Sequence, residues 1–286
     1  MKEKTRSAKA SSLKLDIASY VFVGIIVVFT VYPIIYTLIG AFKSNAELTL
    51  GSSFFPKEWH PENFYTAFIR ANFLQYFVNS VLISVAVMIL AVITTSLAGY
   101  VFSRREFVGK KLWSTLYTGL MFIALGSVTL YPTYTMLAKL GINKILLGLI
   151  LTLLGAQLSN VMLVRGFING IPRELDEAAL LDGCNPFQIY WKIILPLIRP
   201  IIAVVALFSF RTAWNDYITT LVFSISMPTL RTLTVAVVQL RYSANAAAEW
   251  HIMLAGAAIS IVPILIVYAF CHKQFIGGLT AGAVKG

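Results

Sequence analysis

Six stretches of this chain are long and apolar enough to cross a lipid bilayer, and they constrain the fold more than any other feature. A helix needs about 20 apolar residues to span the hydrocarbon core. Residues 17–39, 77–102, 112–137, 145–164, 197–217 and 252–271 each supply such a run. Within lipid every backbone polar group must be bonded inside the protein. The expected class is therefore an all-α membrane protein with six transmembrane helices. Pro33, Pro132 and Pro263 fall inside these runs, where a membrane helix tolerates a kink. Arg199 and Arg211 weaken the fifth run.

Composition agrees. Of 286 residues, 58% are hydrophobic and 12% charged, about half the charged share of a soluble domain. The net charge of +11 does not describe a nucleic-acid surface, because the basic residues stand in short clusters between apolar runs rather than in one stripe. Such clusters mark the cytoplasmic side. They are Lys2, Lys4, Arg6, Lys9 and Lys14; Arg104, Arg105, Lys110 and Lys111; and Arg165, Arg173, Lys192 and Arg199. The loops 41–76 and 218–251 are poorer in positive charge and belong outside. Both termini then lie in the cytoplasm. The expected organisation is a cytoplasmic tail 1–16, a permeation domain 17–274 and a tail 275–286. Cys184 and Cys271 have no metal or disulfide-framework spacing, and His60, His251 and His272 suggest no metal site.

One stretch is out of character. Glu174, Asp176, Glu177 and Asp182 fall close together in the loop 165–196, on the cytoplasmic side. Pro172 suits a helix start, acidic residues suit its first turn, and Gly183 suits its C′ position. The helix is about ten residues, roughly 15 Å, too short to span. Asn185, Pro186 and Gln188 have the order of an N-cap, an N1 proline and a capping-box partner. Two helices should therefore meet at a sharp corner at 183–185. Leu175, Ala178, Ala179 and Asp182 have the spacing of one face, made shallow by the two alanines. Patterning alone fits either a surface connector or a docking helix.

The run "EAALLDG", followed by an apolar segment ending in "ILP", resembles the EAA loop of binding-protein-dependent ABC-importer permeases of the carbohydrate-uptake type. "FFPKEWHPENFYTAF", "WNDY" and "FIGGLTAGAVKG" are similar to segments of the same family; the last looks like the C-terminus of its maltose-type G subunits. The resemblance implies a type I importer permease fold with a short cytoplasmic coupling helix. It implies that Glu174, Glu177, Ala178, Ala179, Asp182 and Gly183 engage a partner ATPase. It implies a sibling permease, an ATPase dimer and an extracytoplasmic solute-binding protein as partners, and a place in the bacterial inner membrane. Arg241, Tyr242, Ser243 and Asn245 stand where a binding-protein contact is expected, or in an ordinary solvated loop. Lys285 stands in a tail that reaches the ATPase in this family, or frays.

The chain has no G-x-x-x-x-G-K-[ST] phosphate loop, so ATP and Mg are expected on the partner ATPase, with no cofactor or metal on this chain. Ion-coupled carriers keep acidic residues deep in the membrane. Here Asp216 is the one carboxylate near a span, at its outer end. Arg211, Trp214, Asn215 and Asp216 are candidates for the translocation path, with interfacial anchoring by Trp214 and Tyr217 as the alternative. The expected function is uptake of a sugar or oligosaccharide. A permease of the same class for another solute, such as glycerol phosphate, and an ion-coupled carrier are the alternatives. No nucleophile, metal set or carboxylate pair lies in a span, which argues against an enzyme.

Overall fold

A computed structural model describes residues 2–51, 53–122, 126–155, 157–241 and 248–283; for 2–18, 122 and 270–283 it describes the backbone alone. The described elements are helices throughout. In chain order they are α1 Lys2–Gly40, α2 Asn45–Leu50, α3 Glu62–Arg70, α4 Phe73–Arg104, α5 Lys110–Phe122, α6 Leu130–Lys139, α7 Leu146–Gly155, α8 Leu158–Asn169, α9 Glu174–Leu181, α10 Pro186–Ile189, α11 Leu195–Leu197, α12 Arg199–Trp214, α13 Ile218–Ser226, α14 Leu233–Gln239 and α15 Trp250–Ala283. A π-helical turn, Tyr190–Ile194, joins α10 to α11.

Three helical segments are long and apolar enough to cross a membrane alone: Ser19–Gly40 of α1, all of α4, and Trp250–Ala269 of α15. Two bent pairs, α7 with α8 and Pro186–Leu197 with α12, are long and apolar enough when each pair is taken as one span. The third expected span, 112–137, is divided between α5 and α6, with a 3-10 turn at Gly126–Thr129 between them. Gly126 has φ 52°, a left-handed conformation through which an α-helix does not run.

The chain forms two compact units. The first comprises residues 1–70 and 239–259. Residues 19–36 of α1 are all exposed. An apolar helix bare on every side belongs in lipid or against another chain. Ser44 opens α2 through a capping box with Glu47, and the Glu47 carboxylate also accepts the Lys57 N–H at 2.8 Å. Those bonds, the one from Lys57 first, hold the Glu47 carboxyl below its usual range. Buried Asn63 donates to the carbonyls of Ala41 and Lys43, both at 2.9 Å. Arg70 pairs with Glu249. Asn45 donates to the Ala248 carbonyl at 2.8 Å and accepts the Trp250 N–H at 3.0 Å.

The second unit, 71–238 with 260–286, is organised on α4, which packs against both α8 and α12. Membrane helices approach closely where residues are small, and Gly99 provides such a place. A Cβ there would lie 2.7 Å from Val164 Cγ1 and 3.1 Å from the Arg165 backbone nitrogen. One core gathers Tyr100, Val164, Ile168, Ala179, Ile189, Ile194, Ile198 and Val205. Another gathers Ile83, Val87, Leu149, Leu153, Ala213 and Phe223. Some buried polar groups are paired between helices. Ser209 Oγ donates to Gln157 Oε1 at 3.0 Å, and Asn160 Nδ2 donates to Ser209 Oγ at 3.3 Å.

The 80° bend between Pro186–Leu197 and α12 falls between two prolines. Pro196 and Pro200 have no N–H to give to the carbonyls four residues before them, so the ladder cannot run through. It widens first, with the Leu195 N–H on the Tyr190 carbonyl, an i to i+5 bond. It then breaks at Ile198, where φ is −90° and ψ 7°.

Candidate functional site

Helix α9 spans eight residues, Glu174 to Leu181. Pro172 lies just before it rather than in its first turn. The N–H groups of Asp176 and Glu177 go to the Arg173 carbonyl at 2.9 and 3.1 Å. No side chain caps the N-terminus; Glu174, Asp176 and Glu177 supply the negative charge that the helix dipole favours there.

The other end is closed as the sequence predicts. Gly183 has φ 81°, its N–H bonds to the Leu180 carbonyl at 3.0 Å, and the Cys184 N–H bonds to the Ala179 carbonyl at 2.9 Å. These two bonds form a Schellman motif. Asn185 then opens α10. Its Oδ1 accepts the Gln188 N–H at 2.9 Å, and Gln188 Oε1 accepts the Asn185 N–H at 2.8 Å. Pro186 stands at the start of α10.

The expected shallow face is corrected by the burial pattern. Leu175, Ala178 and Asp182 are exposed, whereas Ala179 is buried in the core with Ile189 and Tyr190. A hundred degrees separates neighbouring residues on a helix, so the alanine pair divides between two surfaces. The outward stripe is Glu174, Glu177, Ala178 and Leu181, all exposed and spaced i, i+3, i+4, i+7. Leu181 is 90% exposed. An apolar side chain so bare beside two carboxylates suits a surface that a partner covers.

The loop is also held from the side by residues that sequence reasoning reads only as topology charges. Arg104, the last residue of α4, donates through Nη2 to the Ile171 carbonyl at 2.8 Å. Its Nε lies 3.0 Å from Asp176 Oδ2. Ser103 Oγ donates to Asn169 Oδ1 at 2.6 Å. Deeper in the same region, the hydroxyls of Ser96 and Tyr190 are 2.7 Å apart. Nothing in the sequence signals these pairings, because they join segments far apart along the chain.

The residues proposed for the translocation path are adjacent at the end of α12, but they differ in setting. Trp214 is buried, stacked on Phe210 with ring centroids 5.6 Å apart and edge-on to Phe77 at 6.1 Å. It packs the protein interior and is not an interfacial anchor. Asp216 accepts the N–H and hydroxyl of Thr220 at 2.8 and 3.0 Å, which fixes the first turn of α13. Arg211 and Asn215 keep exposed side chains. Of the outer-loop candidates, Arg241 lies over the Trp250 ring at 4.0 Å, a cation–π contact. Tyr242, Ser243 and Asn245, like Lys285, lie outside the described residues. Among the described residues no cluster of His, Cys, Asp and Glu could hold a metal ion.

Comparison with known proteins places this architecture. The family described as binding-protein-dependent transport system inner membrane component matches residues 14–274. The chain is 31% identical to the maltodextrin transport system permease protein MdxG of Bacillus subtilis (strain 168), over 98% of this chain and 100% of that protein. It is 30% identical to the arabinooligosaccharides transport system permease protein AraQ of Halalkalibacterium halodurans, over 100% of both. A chain in the crystal structure of a bacterial ABC transporter involved in the import of the acidic polysaccharide alginate shares the fold, with a TM-score of 0.76 at 23% identity, covering 93% of this chain and 98% of that one. A long set of apolar helices, a short acidic helix closed by a Schellman glycine, and a family match over most of the sequence lead to one assignment: the chain belongs to the binding-protein-dependent transport system inner membrane components, the multi-pass permeases of ABC importers.

Proposed function

We propose that this chain is the permease subunit of an ATP-driven importer that takes up a sugar or oligosaccharide delivered by an extracytoplasmic solute-binding protein. The observation that carries the coupling part of the reading is α9, whose outward stripe of Glu174, Glu177, Ala178 and Leu181 is exposed on a helix fixed at its C-terminal end. An ATPase dimer docks on that stripe in the cytoplasm and binds the ATP and Mg. A sibling permease supplies the other half of the pathway. When the ATPase closes, α9 moves with it, and the rigid corner at Gly183 passes the motion through α10 into α12. Of the pathway candidates, Arg211 and Asn215 have the exposure needed to meet solute at the outer mouth. The basic clusters put both termini and α9 in the cytoplasm, with tails 1–16 and 275–286 and Lys285 near the ATPase. The carbohydrate assignment is supported by relatives named for maltodextrin and arabino-oligosaccharides.

The test is ATP hydrolysis by the reconstituted importer, with sibling permease, ATPase and binding protein, screened across saccharides. One saccharide class should stimulate hydrolysis several-fold. Stimulation by a phosphodiester or a polyamine, with none by any saccharide, would replace the carbohydrate reading while leaving the importer.

A further inference from the structure

The C-terminal end of α9 is tied to α12 through the chain itself, but its N-terminal end has no side-chain cap. What holds that end is Arg104. Its guanidinium touches the loop twice, at the Ile171 carbonyl 2.8 Å away and at Asp176 Oδ2 3.0 Å away. Both side chains are largely buried, at 6% and 15% exposure. The contact with Asp176 is an ion pair without hydrogen-bond alignment, and neither Asp176 oxygen accepts a hydrogen bond. Arg104 is therefore the ion-pair partner of an acid otherwise poorly solvated. Removing one member of such a pair leaves an uncompensated charge, and the effect is large. The neighbouring Ser103–Asn169 bond at 2.6 Å joins the same two segments. The last turn of α4 thus grips the loop at Asn169, Ile171 and Asp176.

We infer that Arg104 is a positioning residue of the transport cycle, and that α4 receives the motion of α9 directly, in parallel with α12. α4 packs against both α8 and α12, so a displacement delivered to its cytoplasmic end moves the centre of the unit. This rests on the reading of α9 as the helix that the ATPase drives. A lysine cannot replace the arginine in full, because one ammonium group does not span Ile171 and Asp176 with the fixed fork of a guanidinium.

The experiment uses the complete reconstituted importer and measures solute transported per ATP hydrolysed, with assembly followed by co-purification. Arg104→Ala and Asp176→Asn should each lower that ratio about tenfold, and Arg104→Lys should fall between them and the wild type. Arg104→Glu with Asp176→Arg should recover a large part of what either reversal alone loses. A purely structural role would lower the amount of assembled complex and leave the ratio unchanged, and that result overturns the inference. If Arg104→Ala does not assemble, the near-isosteric Asp176→Asn decides: a wild-type ratio overturns the inference and a tenfold loss supports it. Gly183→Val is the control that separates the two claims. Normal uptake by that variant overturns transmission through the Gly183 corner, and the absence of any cross-link from α9 to the ATPase overturns the docking reading itself. Normal coupling by Arg104→Ala and Asp176→Asn beside an inactive Gly183→Val overturns the role of Arg104 alone.

Discussion

Gly183→Val abolishes uptake while the chain still inserts and assembles. Gly183 has φ 81°, and a Cβ built there meets nothing within 4 Å. The penalty is thus local, from the Cβ against its own backbone, and not from a clash of that atom with another part of the protein. An ordinary L-residue costs about 1–2 kcal/mol in the left-handed region, and a β-branched one is a true outlier there. The loop escapes that cost by unwinding the Schellman bonds to Leu180 and Ala179, which releases the corner between α9 and α10. The loss is confined to the loop, since no packed neighbour is displaced. A graded series follows. Asparagine visits the left-handed region most readily after glycine, so Gly183→Asn should retain the most uptake, Gly183→Ala less, and Gly183→Val none. Uptake assays at matched membrane levels of the protein check the order. Wild-type uptake by Gly183→Val would show that the corner transmits nothing.

Gly99→Val should have the second largest effect, by a different route. Here the backbone is helical and the limit is space. The added atoms meet Val164 Cγ1 at 2.7 Å and the Arg165 nitrogen at 3.1 Å. A side chain can turn away, but a backbone nitrogen cannot, so α4 and α8 must part. Overpacking of this kind costs about 1–3 kcal/mol. Ser103 lies one turn beyond Gly99 on the same face, so separation there should also weaken its bond to Asn169. The thermal transition of the purified complex should fall by several degrees. Gly99→Ala in a Val164→Ala background should recover part of the loss, because it removes the contact with Val164 Cγ1 and leaves those at 3.0 Å to the Cβ of residue 164 and at 3.1 Å to the Arg165 nitrogen. No change in the transition for Gly99→Val would mean that the helices do not approach as closely as described.

What the sequence makes legible is what is local. Spans α1, α4 and α15 stand out because about 20 apolar residues in a row have one common explanation. The stop at Gly183 and the restart at Asn185 are readable because caps are set by residues within four positions of each other. The divided span at 112–137 and the 80° bend at Ile198 are not, because hydropathy ignores where a hydrogen-bond ladder fails. A single face through Ala178 and Ala179 treats two adjacent residues as neighbours on a surface, and burial puts Ala179 inside. Trp214 stands at the end of an apolar run, where an interfacial anchor is expected, whereas Phe77 and Phe210 enclose it. Arg104 illustrates the deeper limit. Its charge raises the expectation of a cytoplasmic loop, but its partners, Ile171 and Asp176, come near only once α4 and α8 have packed.

The central claim is that a partner ATPase acts on the outward stripe of α9. Its most direct test is site-specific cross-linking in the assembled importer, with Cys184 and Cys271 replaced by serine. A cysteine at position 178, exposed on the stripe, should form a cross-link to the ATPase subunit whose yield changes when ATP is added. A cysteine at the buried position 179 should form none. Absence of any adduct from position 178, in a complex that still transports, would contradict the account.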